Sequence, residues 1–242
     1  KTRTHLDRCL TCRNCESTCP SGVEYGKLVD IGRKWAEEKT ASRPVGQKLT
    51  RWLLKEGLTN KPLFDSAMRI GRIMRPLMPT SLARKVPNGL PAGPRPNQQH
   101  ARKMLMLDGC VQPGMLPNIN NASFRVMSHL GVDVLAAPKA GCCGALKYHL
   151  NEQEAGLNDM RRNIDAWWPY IEGTAPECQG EKVQAILMNA SGCGVTIKEY
   201  GHILKDDPIY AKKAQVISDL CKDLVEVLPQ YLEKLQGLVG DR

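Results

Sequence analysis

Four cysteines crowd the start of the chain in the text RCLTCRNCESTCPSG: Cys9, Cys12, Cys15 and Cys19, spaced C-x2-C-x2-C-x3-C and followed by Pro20. Three thiolates set two residues apart can wrap a tight loop around one cube of iron and sulfide, each meeting a different iron, while the fourth is turned away. Structural zinc instead takes its ligands in pairs from two separated knuckles. The spacing therefore predicts a ferredoxin-type 4Fe-4S cluster, with electron transfer as its chemistry. Where two such runs share a protein, the fourth cysteine of each ligates the other cluster. On that geometry Cys9, Cys12 and Cys15 hold three irons of one cluster, and Cys19 serves a second cluster whose main motif lies outside this sequence. Binding of all four to one cluster is the alternative.

A second set is dispersed: Cys110 in LDGCVQP, Cys142 and Cys143 in AGCCGAL, and Cys193 in NASGCGV. Each follows a short apolar run that reads as a strand. In an open parallel sheet the loops beyond the strand C-termini line one crevice, so residues far apart in sequence meet there. The adjacent glycines 109, 141, 144, 192 and 194 let backbone approach a bulky ligand. A metal or cluster site and a redox-active thiol pair are both open readings, against the plain one of buried free thiols. Vicinal side chains alternate in direction, so at most one of Cys142 and Cys143 need face the crevice.

The elements that must position these groups follow from periodicity. Val23 to Glu38 and Val45 to Glu56 read as helices. Six prolines between Pro76 and Pro96 mark a linker. Beyond it, Lys103 to Leu107, Asp133 to Ala137 and Val183 to Met188 read as strands, alternating with helices over Asn118 to Leu130, Glu152 to Tyr170 and Ala211 to Leu228. That alternation is the pattern of a parallel sheet covered on both faces. The fold class is α+β overall: a small helical ferredoxin-type domain (1–42), a basic helical segment (43–78), a Pro-rich linker (79–100), an α/β domain with a short parallel sheet (101–230) and a tail (231–242). Within it, Cys221 is expected on the apolar face of the closing helix, Cys178 as a surface thiol, and Trp167 and Trp168 as core or interface anchors.

The chain has 242 residues, 42% hydrophobic and 24% charged, with ten cysteines. No apolar run approaches the roughly 20 residues of a spanning helix. Many cysteines without a secretory leader suit a reducing compartment, and a cytoplasmic location is expected. Residues 1–100 hold 19 Lys/Arg against 8 Asp/Glu, and the remainder 15 against 17. The positive part suits an acidic partner or peripheral contact with the inner face of the cytoplasmic membrane. Nucleic acid is disfavoured, because only Trp52 and Phe64 interleave the ten basic residues of 43–86 as stacking platforms. No Ser-His-Asp order, Walker loop or G-x-G-x-x-G gives hydrolase, NTPase or dinucleotide readings a motif.

The stretches HLDRCLTCRNCESTCPSG (5–22), LDGCVQP (107–113), AGCCGALKYHLNEQE (140–154), NIDAWWPYIE (163–172) and ASGCGVTIKEYG (190–201) resemble the iron-sulfur subunits of glycolate oxidases, within the wider family that carries cysteine-rich CCG domains. The resemblance implies a complete subunit with two 4Fe-4S motifs and two CCG repeats. Of these the sequence shows the second motif and the first repeat, so it is expected to be a fragment. The family's C-x2-C after the CCG loop is reduced here to Cys193, with Thr196 three residues on. The implied role is an electron relay rather than a catalyst on its own: a flavin-containing subunit oxidises a 2-hydroxy acid, a further subunit completes the complex, and electrons leave toward a quinone or other acceptor. A disulfide-reducing or lactate-utilisation role for the CCG crevice is the competing reading, and a basic nucleic-acid-binding iron-sulfur module the third.

Overall fold

Met104, Leu105, Met106 and Leu107 are apolar without alternation, so a strand carrying them must be covered on both faces. The computed structural model, which describes residues 2–240, builds that arrangement. Four strands, β1 (Arg102–Met106), β2 (Val132–Leu135), β3 (Ile186–Met188) and β4 (Cys221–Asp223), form a parallel sheet in the order β2-β1-β3-β4. Successive side chains of β1 divide between two cores. Leu105 joins Met160, Ile164, Trp167, Ile186 and Ile217 on one face, and Met104 and Met106 join Phe124, Met127, Val132 and Leu187 on the other. Lys103, 3% exposed, is buried at the register position opposite Asp133 and bonds its carboxylate at 3.2 Å.

The expected closing helix over Ala211 to Leu228 is corrected. It stops at Leu220, where Cys221 turns extended (φ −71°, ψ 120°) and enters β4; a new helix, Leu224–Val227, then starts from Asp223. The Asp223 side chain and Glu226 form a reciprocal capping box there. Cys221 is buried as expected, but in a strand. The long helix also runs past Pro169 to Glu172, with Trp167 in the core. Lys1 and the last two residues of the expected tail lie outside the described residues.

The first hundred residues are helical: Thr2–Asp7, Tyr25–Lys39, Val45–Thr59 and Lys61–Met74 are the main pieces. Asn60 caps the last, its side chain accepting from the Leu63 N–H at 3.2 Å, with Pro62 in the first turn. Six of the ten basic residues in 43–86 are engaged within the chain. Arg43 and Arg51 bond Asp7, Lys55 bonds Glu152, Lys61 bonds Asp65, and Arg72 and Arg75 donate to main-chain carbonyls. Much of the basic run is therefore internal stapling. Among the described residues no helix is long and apolar enough to cross a membrane.

Arg43, 7% exposed, makes paired bonds to Asp7 (2.7 and 3.0 Å) and also bonds Glu37 (2.8 Å). These bonds hold both carboxyls below their ordinary values. A depressed folded value means stability that is present above the unfolded value, about pH 4, and lost as pH falls through the folded one. The melting temperature is expected to fall as pH is lowered through that window. In Arg43→Met the same acid dependence is expected to be markedly shallower.

Candidate functional site

The first cysteine loop curls through two non-glycine residues in the left-handed region, Thr11 (φ 52°) and Arg13 (φ 58°), one on each side of Cys12. Such backbone is costly for residues with a Cβ and persists where surroundings over-determine it. Cys12 and Cys15 are exposed, Cys9 and Cys19 half-buried, and all four are free thiols. The Thr11 N–H points at Cys9 Sγ (3.4 Å), and the Tyr25 hydroxyl lies 3.8 Å from Cys19 Sγ. Main-chain N–H groups of Val23 and Ser21 and that hydroxyl lower the Cys19 thiol from its ordinary value. The loop is anchored by Arg33, 7% exposed, which donates to the carbonyls of Cys9 (2.6 Å) and Leu6 (3.1 Å). Glu16 accepts from the Gly26 N–H (2.6 Å) at the start of the helix Tyr25–Lys39. Soft donors at the surface, with N–H groups aimed at sulfur, fit an iron-sulfur cluster.

The dispersed set is brought together. Cys110 follows β1 and Cys193 follows β3, the two neighbours where the strand order reverses; Cys142 and Cys143 follow β2. The four thiols lie close enough to perturb one another's ionisation, and Cys142 and Cys143 are themselves buried, at 3% and 4% exposed. The neighbouring Cys110 and Cys143 thiols, with the Gly144 N–H and Lys147, push the Cys142 thiol well down. Cys193 is lowered by its bond to Cys143. Cys110 and Cys143 are raised, chiefly because each bonds to Cys142, and burial adds to this. Ionisation is thus favoured at Cys142 and Cys193 and disfavoured at Cys110 and Cys143. Among the described residues no three His, Cys, Asp or Glu close on a single-ion point. A set of soft thiolates strung along a crevice fits a multinuclear group, or a disulfide, better than one tetrahedral ion.

Residues 104–198 match the cysteine-rich domain family CCG, across the strands and loops that carry this crevice. The whole chain is 49% identical over 244 residues to the glycolate oxidase iron-sulfur subunit of Escherichia coli (strain K12), covering 58% of that protein. The CCG-matched segment takes in Cys110, Cys142, Cys143 and Cys193. The probable glycolate oxidase iron-sulfur subunit of Bacillus subtilis (strain 168) is 29% identical over 250 residues, 92% of this chain and 53% of its own length. Lactate utilization protein A of Bacillus cereus (strain B4264) is 24% identical over 131 residues, 54% of this chain and 49% of its own. The chain spans little more than half the length of the two glycolate oxidase relatives. No solved structure gives a significant match.

The CCG loop is held by residues that its cysteine spacing does not reveal. Asn163, fully buried on the helix Gln153–Glu172, accepts from the Gly141 N–H (2.8 Å) and donates to the Cys142 carbonyl (2.8 Å). Buried Tyr200 donates to the Cys143 carbonyl (2.8 Å). The loops after β1 and β3 are tied by an amide relay: Gln112 donates to Asn120 (2.7 Å) and Asn189 (3.0 Å), and Asn120 donates to the Asp108 carbonyl (2.9 Å). An amide on the interior face of an amphipathic helix is the sequence signal that marks Asn163. Gly144 has φ +87°, and a Cβ there would sit 2.6 Å from the Gly156 carbonyl oxygen. Gly144→Ala is expected to cost about 2–4 kcal/mol through strain and a main-chain clash, read as a lower denaturant midpoint.

Cys178 is corrected: it is fully buried, its thiol against the Tyr170 carbonyl (3.8 Å), because a short turn tucks it under the helix while its polar neighbours stay outside. His149 bonds Asp30 (2.8 Å), joining the CCG half to the helix that follows the first loop. Arg13 and Glu199 form a second such tie.

Proposed function

We propose that the chain is the relay part of an iron-sulfur subunit in a 2-hydroxy-acid oxidase complex, carrying electrons from a flavin-bearing subunit toward a quinone. The observation that carries this is the Cys9–Cys19 loop: four free thiols, two of them exposed, with N–H and hydroxyl donors aimed at sulfur. Similarity along the entire chain to a glycolate oxidase iron-sulfur subunit supports the same reading. Cys9, Cys12 and Cys15 would hold one 4Fe-4S cluster and Cys19 a second, each supplying one-electron storage and transfer when bound. Thr11 and Tyr25 donate toward the thiolates, which favours the more negative, reduced state. Arg33 holds the Cys9 carbonyl and so fixes the loop against the helix. In the crevice, Cys110, Cys142, Cys143 and Cys193 offer a further cluster or metal site, with Cys142 and Cys193 already inclined to the thiolate that such a ligand requires.

The test adds a 2-hydroxy acid such as glycolate, without oxygen, to the complete complex and to one lacking the flavin subunit. The visible cluster absorbance should bleach in the first and persist in the second. Turnover with no change in cluster absorbance contradicts a relay.

A further inference from the structure

The two halves meet around a cavity of about 450 Å³, between the helix Tyr25–Lys39 and the segments Ala145–His149 and Tyr200–Ile203. Its position is set by both cysteine sites. On its rim Glu199 pairs with Arg13, which lies between Cys12 and Cys15. The next residue, Tyr200, holds the carbonyl of Cys143. A ligand here would lie between the first cluster loop and the CCG crevice.

The lining is of two kinds. Ile31 and Trp35, 65% and 60% exposed, form with Ile203 an apolar wall left open to the cavity. Asp30 and Glu199 are engaged by His149 and Arg13, and Lys27 by Glu24, so those charges are largely spent, while Glu38 adds a carboxylate at the edge. Tyr148, His202 and Lys34 also face the void and offer hydrogen-bond donors. Burial keeps the Tyr148 phenol protonated, since it raises that group above its ordinary value. Such a site suits a ligand with a flat apolar body and oxygen acceptors at its edge. The volume falls in the range of roughly 300–1,000 Å³ usual for medium-sized organic ligands. A two- or three-carbon hydroxy acid would leave the Trp35 wall unused. Nucleotide cofactors would want a glycine-rich phosphate cradle, and the lining contains no glycine.

We infer that this cavity binds the headgroup of a quinone, with its ring against Trp35 and Ile31 and its carbonyl oxygens toward Tyr148 and His202. The inference rests on the relay reading and names where the acceptor sits.

The test uses the complete complex and the fluorescent quinone analogue heptyl-hydroxyquinoline N-oxide, whose emission is quenched on binding. Trp35→Ala should weaken binding about tenfold or more, as loss of an aromatic anchor does. Tyr148→Phe, which keeps the ring and removes one donor, should weaken it about fivefold. Trp52→Ala, on an exposed helix face outside the cavity, should leave binding unchanged. Iron content and electron paramagnetic resonance of the same samples keep the two ideas separate. Clusters present with no probe bound, or with equal binding in both cavity variants, overturn the site alone; wild-type complex without clusters overturns the relay itself.

Discussion

Cys12→Ser and Cys15→Ser, each made in the full-length subunit, are expected to lose most of the iron associated with the first loop and to stop electron delivery to the acceptor. Serine keeps the size and the hydrogen bonding of cysteine but not the soft thiolate that iron-sulfur clusters take. Both side chains are exposed and no core residue depends on them, so the fold should survive. Oxidation of the 2-hydroxy acid with a dye that draws electrons directly from the flavin should continue at near wild-type rate, while transfer to quinone falls by at least about tenfold. Undiminished iron and undiminished quinone reduction in both variants would show that the loop is not the conduit.

Asn163→Leu is expected to be the most damaging single change in the CCG half. Leucine fills similar volume, but the Gly141 N–H and the Cys142 carbonyl each lose a buried partner at 2.8 Å. At about 1–3 kcal/mol for each orphaned group, the cost comes to roughly 3–5 kcal/mol. The damage should be local before it is global. Alkylation of Cys142 and Cys143, both under 5% exposed, should accelerate well below the denaturant midpoint, and amide exchange at 141–144 should quicken with it. Tyr200→Phe removes the bond to the Cys143 carbonyl and a longer one (3.3 Å) accepted from Asn163, but leaves the Gly141 and Cys142 bonds of Asn163 in place, so its cost should be about 1–2 kcal/mol. Equal thiol reactivity in Asn163→Leu and the parent would mean that the amide does not position the loop.

These two sites were unequally legible in the sequence. The first is a local motif, and its candidate ligands are picked out by spacing alone. The second is dispersed, yet each member follows a short apolar run and a glycine-bearing turn, so strand ends could be inferred and with them a shared crevice. What holds the crevice was hidden because Asn163, Tyr200 and the Gln112–Asn120–Asn189 relay act through tertiary contacts, and their neighbours in sequence say nothing of their partners. The fourth strand was missed for another reason. Ile217, Leu220, Leu224 and Leu228 keep helical spacing across it, and only the Asp223–Glu226 capping box betrays a fresh helix start. Charge was similarly ambiguous: the basic run of 43–86 suited an outside partner, whereas in the fold its Arg72 and Arg75 close carbonyls of the Pro-rich segment and of the residues after β1.

Electron paramagnetic resonance of the full-length subunit, reduced without oxygen inside its complex, bears most directly on the central claim. A reduced 4Fe-4S signal that appears on adding the 2-hydroxy acid, and that is lost or altered in Cys12→Ser, is the predicted result. A parent complex fully loaded with flavin and turning over substrate, yet showing no such signal under any reductant, would contradict it.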